Sequence, residues 1–309
     1  MIKYYSTILF SLVCLFVYSQ NVTTINFTAQ DGLPSSQVYD IIQDDYGYLW
    51  FSTDKGLSRY NGYDFQNFTT NDGIADNVVF DFLKMPDGKI WCTTNSSELF
   101  SISGSTPKFE KYAFNTLLLE NTGNLVTKSL YFAPNGDMFM SFHHSLGYLH
   151  ISSDGKLMST PIIMSKLDRN NLESLVLKED NSEPFFFNVT KKVKEKISPY
   201  LSYDSHLLKP SSGRKNEALY FTNSEVGVYI DKIGLIIKKG DKVSSATKLN
   251  SAAIASGKLN DSLFWIGLYF GGVSVYNLKG ERQKSFLNNK SVTQIYIDHE
   301  NNTWVSTLN

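Results

Sequence analysis

Two segments of the chain repeat the same pattern 41 residues apart. The first runs from Asn26 to Thr53 and the second from Asn67 to Thr94, and each carries an Asp-Gly pair and a tryptophan at matching places. Both combine short runs of β-branched and aromatic residues with glycine-containing turns. A period in the low forties with such strands is typical of the four-stranded blades of a β-propeller. The repeat therefore constrains the fold before any single residue is interpreted.

The first repeat unit predicts four short antiparallel strands. Val38–Ile42 has the pattern of a buried inner strand, and Leu49–Thr53 is a second strand rich in β-forming residues. Gly56–Tyr60 is a third strand. Asn61-Gly62 is a hairpin turn signal and introduces the fourth strand, Tyr63–Phe68.

The tryptophan position predicts the number of blades. Its occupants are Trp50, Trp91, Phe139, Tyr220, Trp265 and Trp304. The gap from Phe139 to Tyr220 is nearly two periods, so we expect a degenerate unit around Phe185–Phe187. Residues 50 to 304 then divide into six steps of about 42 residues. The chain is predicted to be an all-β, seven-bladed β-propeller of four-stranded antiparallel blades, without helices between the strands because no stretch has a 3.6-residue apolar period.

The two ends of the repeat region share one blade in this prediction. Ile25–Thr28 aligns with a fourth strand, although no inner strand precedes it. Ser291–Ile297 and Trp304–Thr307 are first and second strands, and no counterpart of Gly56–Tyr60 follows them. We expect an incomplete last blade, closed by the N-terminal strand so that its edge is covered. We also expect the chain to be a fragment of a longer protein.

The first 19 residues have the pattern of a signal peptide. Lys3 gives a positive n-region, Ile8–Val17 is apolar except for Ser11, and Ser19 is a suitable last residue before cleavage. The apolar run is shorter than the roughly 20 residues that span a bilayer. We therefore assign residues 1–19 to a signal peptide and residues 20–309 to an exported propeller domain. The formal net charge of -1 argues against a nucleic-acid partner.

The first unit resembles a known family. Gly32-Leu33-Pro34-Ser35-Ser36-Gln37-Val38, the Asp44-x-x-Gly47-x-Leu49-Trp50-Phe51-Ser52-Thr53 stretch and the Gly56-Leu57-x-Arg59-Tyr60-x-Gly62 stretch are similar to the two-component regulator propeller repeat. That repeat forms the periplasmic sensor region of Bacteroidetes-type sensor histidine kinases and hybrid two-component systems.

The resemblance implies a periplasmic sensor whose parent protein is anchored in the inner membrane. It implies a second propeller, an Ig-like module, a membrane span and a kinase in the longer proteins, with the rest of the kinase as a partner. It also implies homodimerisation, through parts that lie outside this chain. No cofactor is implied.

The loops between blades, and those between second and third strands, are expected to share one face of the propeller. Loops on a rigid scaffold commonly carry recognition. The candidate ligand-binding residues on these loops are Asp54, Lys55, His143, His144, Tyr269 and Phe270. The two aromatic residues could stack on a sugar ring, and the histidines could hydrogen-bond a ligand or titrate near neutral pH. The alternative is that the aromatic residues fill the gap between blades and that the histidines are merely exposed.

Other conspicuous residues have structural explanations. Trp50, Trp91, Trp265 and Trp304 are predicted to pack between blades. The turn carboxylates, Asp44, Asp45 and Asp87, are predicted to bond backbone N–H groups. No metal site is predicted, because His143 and His144 are adjacent in a strand-like context and would point to opposite sides.

Three functions remain open from the residues. The first is a non-catalytic sensor module for a periplasmic ligand, such as a glycan fragment. The second is a propeller glycoside hydrolase, because Asp45-x-Gly47-x-Leu49-Trp50 faintly resembles the Asp-box of sialidases. Against it, a sialidase needs a cluster of arginines to bind the carboxylate of its substrate. The chain has only four arginines: Arg59, Arg169, Arg214 and Arg282. The third is a stand-alone exported propeller that binds another protein.

Overall fold

The structure is a computed structural model, and part of the chain is described by it. The described residues are 24–123, 125–133, 135–142, 145–146, 148–163, 173–176, 185–188, 218–223, 226–230, 234–239, 242–260 and 262–308. The signal peptide assigned to residues 1–19 lies outside them and stays a prediction. Within the described part, no helix has the length and apolar character needed to cross a membrane.

Antiparallel β-sheets form almost all of the structure. Five of them have four strands: β1–β4 (Val38–Gln43, Leu49–Thr53, Gly56–Tyr60, Phe65–Phe68); β5–β8 (Val79–Lys84, Ile90–Thr94, Leu99–Ser103, Lys108–Lys111); β9, β10, β12 and β13 (Thr127–Phe132, Met138–Phe142, Leu149–Ile151, Leu157–Ser159); β17–β20 (Ala218–Asn223, Val226–Ile230, Gly234–Lys239, Lys242–Lys248); and β21–β24 (Ala253–Lys258, Leu263–Leu268, Gly272–Asn277, Arg282–Phe286). Three have two strands: β11 and β14 (Ser145–Leu146, Ile162–Ile163), β15 and β16 (Glu173–Val176, Phe185–Asn188), and β25 and β26 (Val292–Ile297, Thr303–Thr307).

Neighbouring sheets contact one another in the manner of propeller blades. β1 contacts β5 of the next sheet, and it also contacts β25 and β26 at the other end of the chain. β25 in turn contacts β21. The all-β propeller class is confirmed. The number of blades stays a prediction, because only β15 and β16 are described between residues 164 and 217.

A buried carboxylate in β1 links the first strands of three neighbouring sheets. Asp40 is buried and carries its carboxylate at a bulge in β1. Its Oδ2 accepts a hydrogen bond of 2.9 Å from the backbone N–H of Phe82 in β5, and its Oδ1 accepts one of 3.0 Å from Gln294 Nε2 in β25. Hydrogen bonds to a charged carboxylate are stronger than those between neutral groups. The Asp40 carboxylate therefore holds β1 at a fixed spacing from β5 and β25.

The core lies between the sheets and contains their large side chains. Trp50 of β2 is 1% exposed and packs in one cluster with Leu57 of β3 and with Phe82, Cys92 and Phe100 of the second sheet. A buried side chain of this size contributes several kcal/mol to stability. Burial raises the pKa of the Cys92 thiol well above its ordinary value, so this thiol is protonated and inert at neutral pH.

A helix between the second and third sheets contradicts the expectation that no helix separates strands. Helix α1 spans Asn115–Thr122, and its buried residues are Asn115, Leu118 and Thr122. The Asn115 amide accepts from the backbone N–H of Leu99 at 2.9 Å and donates to its carbonyl at 2.8 Å. Two of the three buried positions are polar, so the buried face has helical spacing without the apolar period that would predict it.

Two other expectations about strands were wrong in detail. Tyr220 lies in β17, the first strand of its sheet, whereas the repeat alignment had placed it in a second strand. An apolar run of a few residues has the same pattern in either position, which explains the error. Residues 24–28 are not a strand, although Ile25–Thr28 was expected to close the last blade. In the first sheet the fourth strand pairs with the third, and β26 has no third strand beside it in the described residues.

Candidate recognition face

The turns between second and third strands lie against the loops that enter first strands. The backbone N–H of Gly56 donates to the carbonyl of Asn77, which precedes β5. The N–H of Asn95 bonds the Val78 carbonyl at 3.0 Å, and that of Tyr269 bonds the Ala252 carbonyl at 2.8 Å. These bonds fix each turn to the start of a first strand. We call the surface formed by these turns and loops the recognition face.

Asp54 and Lys55 form the turn of the first sheet on this face. Lys55 is exposed and its N–H donates to Thr53 Oγ1 at 3.0 Å. Asp54 is half-buried, and its buried Oδ1 has no hydrogen-bond partner in the described part of the chain. Gly56 closes the turn at φ +110°, where an added Cβ would stand 2.2 Å from the Phe68 carbonyl oxygen. The turn is rigid and presents one cationic side chain to solvent.

Tyr269 and Phe270 form the corresponding turn after β22. They are 49% and 55% exposed, so about half of each side chain faces solvent. Their rings stand edge to face with centroids 4.5 Å apart. Phe270 has a φ of 51°, and its N–H donates to Ser291 Oγ at 3.1 Å. The turn therefore holds two aromatic side chains in water at the cost of an unfavourable backbone conformation.

Further exposed apolar side chains lie beside this turn. Leu287 is 44% exposed with a φ of 54°, and Phe286 at the end of β24 is 37% exposed. Their backbone passes next to Gly272, whose added Cβ would be 2.3 Å from the Phe286 carbonyl oxygen. Sequence reasoning missed this pair, because a single Phe-Leu step at a strand end has no pattern that distinguishes it from core.

The structure does not gather the candidate residues into one cluster. Asp54 and Lys55 belong to the first sheet and Tyr269 and Phe270 to the β21–β24 sheet, with the β25–β26 sheet contacting both. His143 and His144 lie outside the described residues. Across the described part of the chain, no three His, Cys, Asp or Glu residues are grouped as metal ligands.

The four tryptophans lie in second strands. Trp50 and Trp265 are buried at 1% and 3% exposure, and Trp91 and Trp304 are half-buried. Trp91 stacks on Phe132 of the next sheet with centroids 4.7 Å apart. These placements put all four between sheets, away from the exposed turn at Tyr269.

The turn carboxylate Asp44 is fully engaged. Its Oδ1 accepts from the N–H groups of Tyr46 and Tyr48, both at 2.9 Å, and its Oδ2 accepts from Trp50 Nε1 at 2.9 Å. Arg59 Nη2 lies 3.7 Å from Oδ2, and its guanidinium stands 3.4 Å from the Tyr48 ring centroid. The carboxylate thus fastens the turn to the second and third strands.

In the third sheet, His150 occupies the place that Arg59 occupies in the first sheet, and sequence reasoning missed it. His150 pairs with Phe139 across β10 and β12, as Arg59 pairs with Trp50. His150 stacks on the Phe139 ring at 4.0 Å, and its Nε2 lies 2.9 Å from Asp137 Oδ2. The bond from His150, with that from the Ser153 N–H, lowers the pKa of Asp137. Because His150 stands at the repeat position of Arg59, we interpret it as a packing residue.

The chain is similar to one known family over a short segment and to solved structures over most of its length. Residues 32–55 match the family described as two component regulator propeller, which confirms the resemblance at those residues. Histidine kinase P4 of Formosa agariphila is 41% identical over 64 residues, which are 20% of this chain and 5% of that protein.

Solved structures share the fold over most of the chain. The extracellular domain of a hybrid two-component system from B. thetaiotaomicron has a TM-score of 0.62 at 17% identity, and the match covers 92% of this chain and 40% of that one. A second such domain has a TM-score of 0.61 at 13% identity. Virginiamycin B lyase from Staphylococcus aureus has a TM-score of 0.59 at 13% identity, and the match covers 93% of this chain and 95% of that one. At these identities the likeness concerns the fold, and the chain spans less than half of the two-component proteins it matches.

Proposed function

We propose that this chain is the ligand-sensing propeller module of a periplasmic two-component sensor, without catalytic activity of its own. The match of residues 32–55 to the two-component regulator propeller supports this most directly. The structural likeness to extracellular domains of two-component systems points the same way. In this proposal the signal peptide exports the module, and a kinase elsewhere in the full protein produces the output.

The turn at Tyr269 and Phe270 is the proposed contact with the ligand. Two exposed rings on a rigid turn offer flat apolar surfaces, which suit the C–H face of a sugar ring. Leu287 extends that surface, and Lys55 offers a charged group elsewhere on the recognition face. A glycan fragment is therefore the proposed ligand class.

Signalling would follow from a difference in affinity. A ligand shifts a two-state receptor only by as much as its binding free energy differs between the two states. A ligand on the recognition face that also touched another domain of the receptor would favour the arrangement in which both contacts form.

A glycoside hydrolase is the competing function. Such enzymes need two carboxylates across the scissile bond. Asp44 instead bonds two backbone N–H groups and an indole, and Asp298 of the last sheet is engaged in the same way. These bonds favour a structural role for the repeat carboxylates.

A ligand screen with a product check tests the proposal. Residues 20–309 would be melted in the presence of a panel of oligosaccharides, and a ligand should raise the melting temperature as expected for binding to the folded state. Mass spectrometry of the ligand after long incubation should find it unchanged. Cleavage that one carboxylate-to-amide change abolishes would overturn the proposal in favour of an enzyme.

A further inference from the structure

The chain contains two Asn-Gly pairs, and both lie in exposed turns. Asn61-Gly62 belongs to the hairpin between β3 and β4, and Asn135-Gly136 to the turn between β9 and β10. An asparagine before a glycine is open to deamidation, because the glycine has no Cβ to keep its nitrogen away from the carbonyl carbon of the asparagine side chain. The hydrogen bonds of the two pairs differ in ways that affect this reaction.

The side-chain carbonyl of Asn61 is held by two backbone N–H groups. Asn61 Oδ1 accepts from the N–H of Tyr63 at 2.8 Å and from that of Asp64 at 2.7 Å. The bond from Tyr63 closes a ring of atoms that includes the Gly62 nitrogen, so this nitrogen and the side-chain carbonyl share one tight turn. An attack by the nitrogen on Cγ places negative charge on Oδ1. Two donors already aimed at that oxygen form a small oxyanion hole.

The attacking nitrogen is available at Gly62. Across the described part of the chain, no group accepts a hydrogen bond from the Gly62 N–H. The surroundings are open as well, because Gly62 has a φ of +97° and nothing lies within 4 Å of the place where a Cβ would stand. This N–H can therefore give up its proton to solvent and approach the side chain without breaking a bond.

Asn135-Gly136 forms the same kind of turn with these features reduced. Asn135 Oδ1 accepts from the Asp137 N–H at 3.0 Å, and no second donor to it is found among the described residues. The Gly136 N–H donates to the Ala133 carbonyl at 2.8 Å, a bond that must break before the nitrogen can attack. A Cβ on Gly136 would stand 3.1 Å from Ser153 Cβ, so the space is also narrower. Asn135 is thus a natural control within the same chain.

We propose that Asn61 is a site of spontaneous deamidation in the folded protein, promoted by its own turn, and that Asn135 is protected. The Gly62 N–H gives its proton to hydroxide, and the nitrogen attacks Asn61 Cγ. The Cγ–Nδ2 bond then breaks, and Nδ2 takes a proton from water and leaves as ammonia. Water opens the resulting succinimide, giving aspartate by attack at Cγ or isoaspartate by attack at the backbone carbonyl carbon. This modification is independent of the proposed sensor function.

The two products change the hairpin differently. Aspartate keeps an oxygen that can accept from the N–H groups of Tyr63 and Asp64, and it adds a negative charge three residues before Asp64. Isoaspartate carries the main chain through the side chain, which adds one carbon to the backbone between β3 and β4. Tyr60 and Phe65 face each other at the base of this hairpin, with ring centroids 4.6 Å apart. The longer turn strains that pairing, so isoaspartate loosens the outer strand of the first sheet.

Peptide mapping of the aged chain tests the proposal. The full chain would be incubated at mildly alkaline pH, and mass spectrometry with chromatographic separation of isoaspartate would follow both asparagines in the same sample. In the folded chain, product should accumulate at Asn61 at least about tenfold faster than at Asn135, because Asn61 has the extra oxyanion donor and the free nucleophile. In concentrated urea both turns are lost, and the two rates should agree within about threefold.

Three results of this experiment would overturn the proposal. The first is an Asn61 rate in the folded chain that does not exceed the Asn135 rate. The second is the absence of product at Asn61 over a time in which the unfolded chain converts both sites. The third is an equal preference for Asn61 in urea and in the folded state, since the preference would then belong to the local sequence and not to the turn.

Two substitutions at one exposed position test the oxyanion hole itself. Tyr63→Pro removes one N–H donor to Asn61 Oδ1, whereas Tyr63→Ala keeps that N–H and loses a ring that is 90% exposed. We expect the proline variant to deamidate at Asn61 at least about fivefold more slowly than the alanine variant, which should match the wild type within about twofold. The rate at Asn135 should be the same in all three chains. A proline variant that reacts as fast as the alanine variant would overturn the proposal.

Discussion

Trp50 Nε1 donates a hydrogen bond of 2.9 Å to Asp44 Oδ2, and both residues are buried. The same link, at 2.8 Å, joins Trp304 Nε1 to Asp298 Oδ2, and six residues separate the partners in both cases. In each sheet the carboxylate also accepts backbone N–H groups of the turn between the first two strands. The aspartate and tryptophan of the repeat are therefore one structural unit, which ties a turn to the core strand that follows it.

Trp50→Phe should be more damaging than the same change at Trp91. It removes the indole N–H from a buried carboxylate and leaves a cavity, so we expect the free energy of unfolding to fall by about 2–4 kcal/mol. Trp91→Phe is the comparison, because Met85, not an aspartate, stands six residues before Trp91; Trp91 is half-buried, so its own packing loss should also be smaller. Urea denaturation of both variants measures the difference. Equal losses would show that the link contributes nothing beyond ring volume.

Asp298→Asn should have a pH-dependent effect. Burial raises the pKa of Asp298, but hydrogen bonds from Trp304, Asn302 and Glu300 outweigh it and hold the pKa below its ordinary value. A carboxyl group with a lowered folded-state pKa stabilises the fold above its unfolded pKa, and this contribution is lost as the pH falls through the folded value. We expect a loss of about 1–3 kcal/mol at pH 7.

Urea titrations at several pH values test this. The difference between the wild-type chain and Asp298→Asn should be constant from pH 7 to 5 and shrink below about pH 4. A difference that grew on acidification would reverse the sign of the argument.

Gly257→Ala should destabilise the chain although alanine is normally favoured over glycine. Gly257 lies opposite Trp265 in β21 and β22, and an added Cβ would stand 2.4 Å from Trp265 Nε1. We expect a cost of about 1–3 kcal/mol from overpacking. In a Trp265→Phe background the same change should cost less than about 0.5 kcal/mol, because the smaller ring vacates that space. A cost independent of the ring at position 265 would place the strain in the backbone instead.

Phe270→Asn should leave stability unchanged or raise it by up to about 1 kcal/mol. Asparagine tolerates the left-handed conformation that Phe270 adopts at a φ of 51°. The ring is 55% exposed, so its removal forfeits little burial. Thermal unfolding measures this. A loss above about 2 kcal/mol would mean that Phe270 is a packing residue, as the alternative interpretation of the sequence held.

The first repeat unit could be predicted almost strand by strand. Its glycine turns and alternating apolar positions give β2 and β3 with the predicted bounds, Leu49–Thr53 and Gly56–Tyr60. The exposed turn at Tyr269 and Phe270 was also located, because its place after a second strand follows from the repeat.

Other features had no signal that sequence reasoning could use. Helix α1 buries Asn115 and Thr122, whose polarity hides the helical period. Tyr220 was placed one strand too late, because short apolar runs do not identify their order in a sheet. The N-terminal segment Ile25–Thr28 aligns with the fourth strand of the first unit, but a strand also needs a hydrogen-bonded neighbour. In the described residues Phe27 instead makes ring contacts with Trp304, Tyr60 and Phe65.

The most direct test of the proposed sensor function is calorimetric titration of the oligosaccharide that most stabilises residues 20–309. The wild-type chain, a Tyr269→Ala and Phe270→Asn double variant, and Tyr63→Ala would be compared. Tyr63 is 90% exposed on the hairpin between β3 and β4, so it controls for the loss of an exposed aromatic ring away from the recognition face. We predict that the double variant binds at least about tenfold more weakly, as expected for the loss of two stacking rings, while Tyr63→Ala binds like the wild type. Unchanged affinity in the double variant, or a loss of affinity in Tyr63→Ala, would contradict the account.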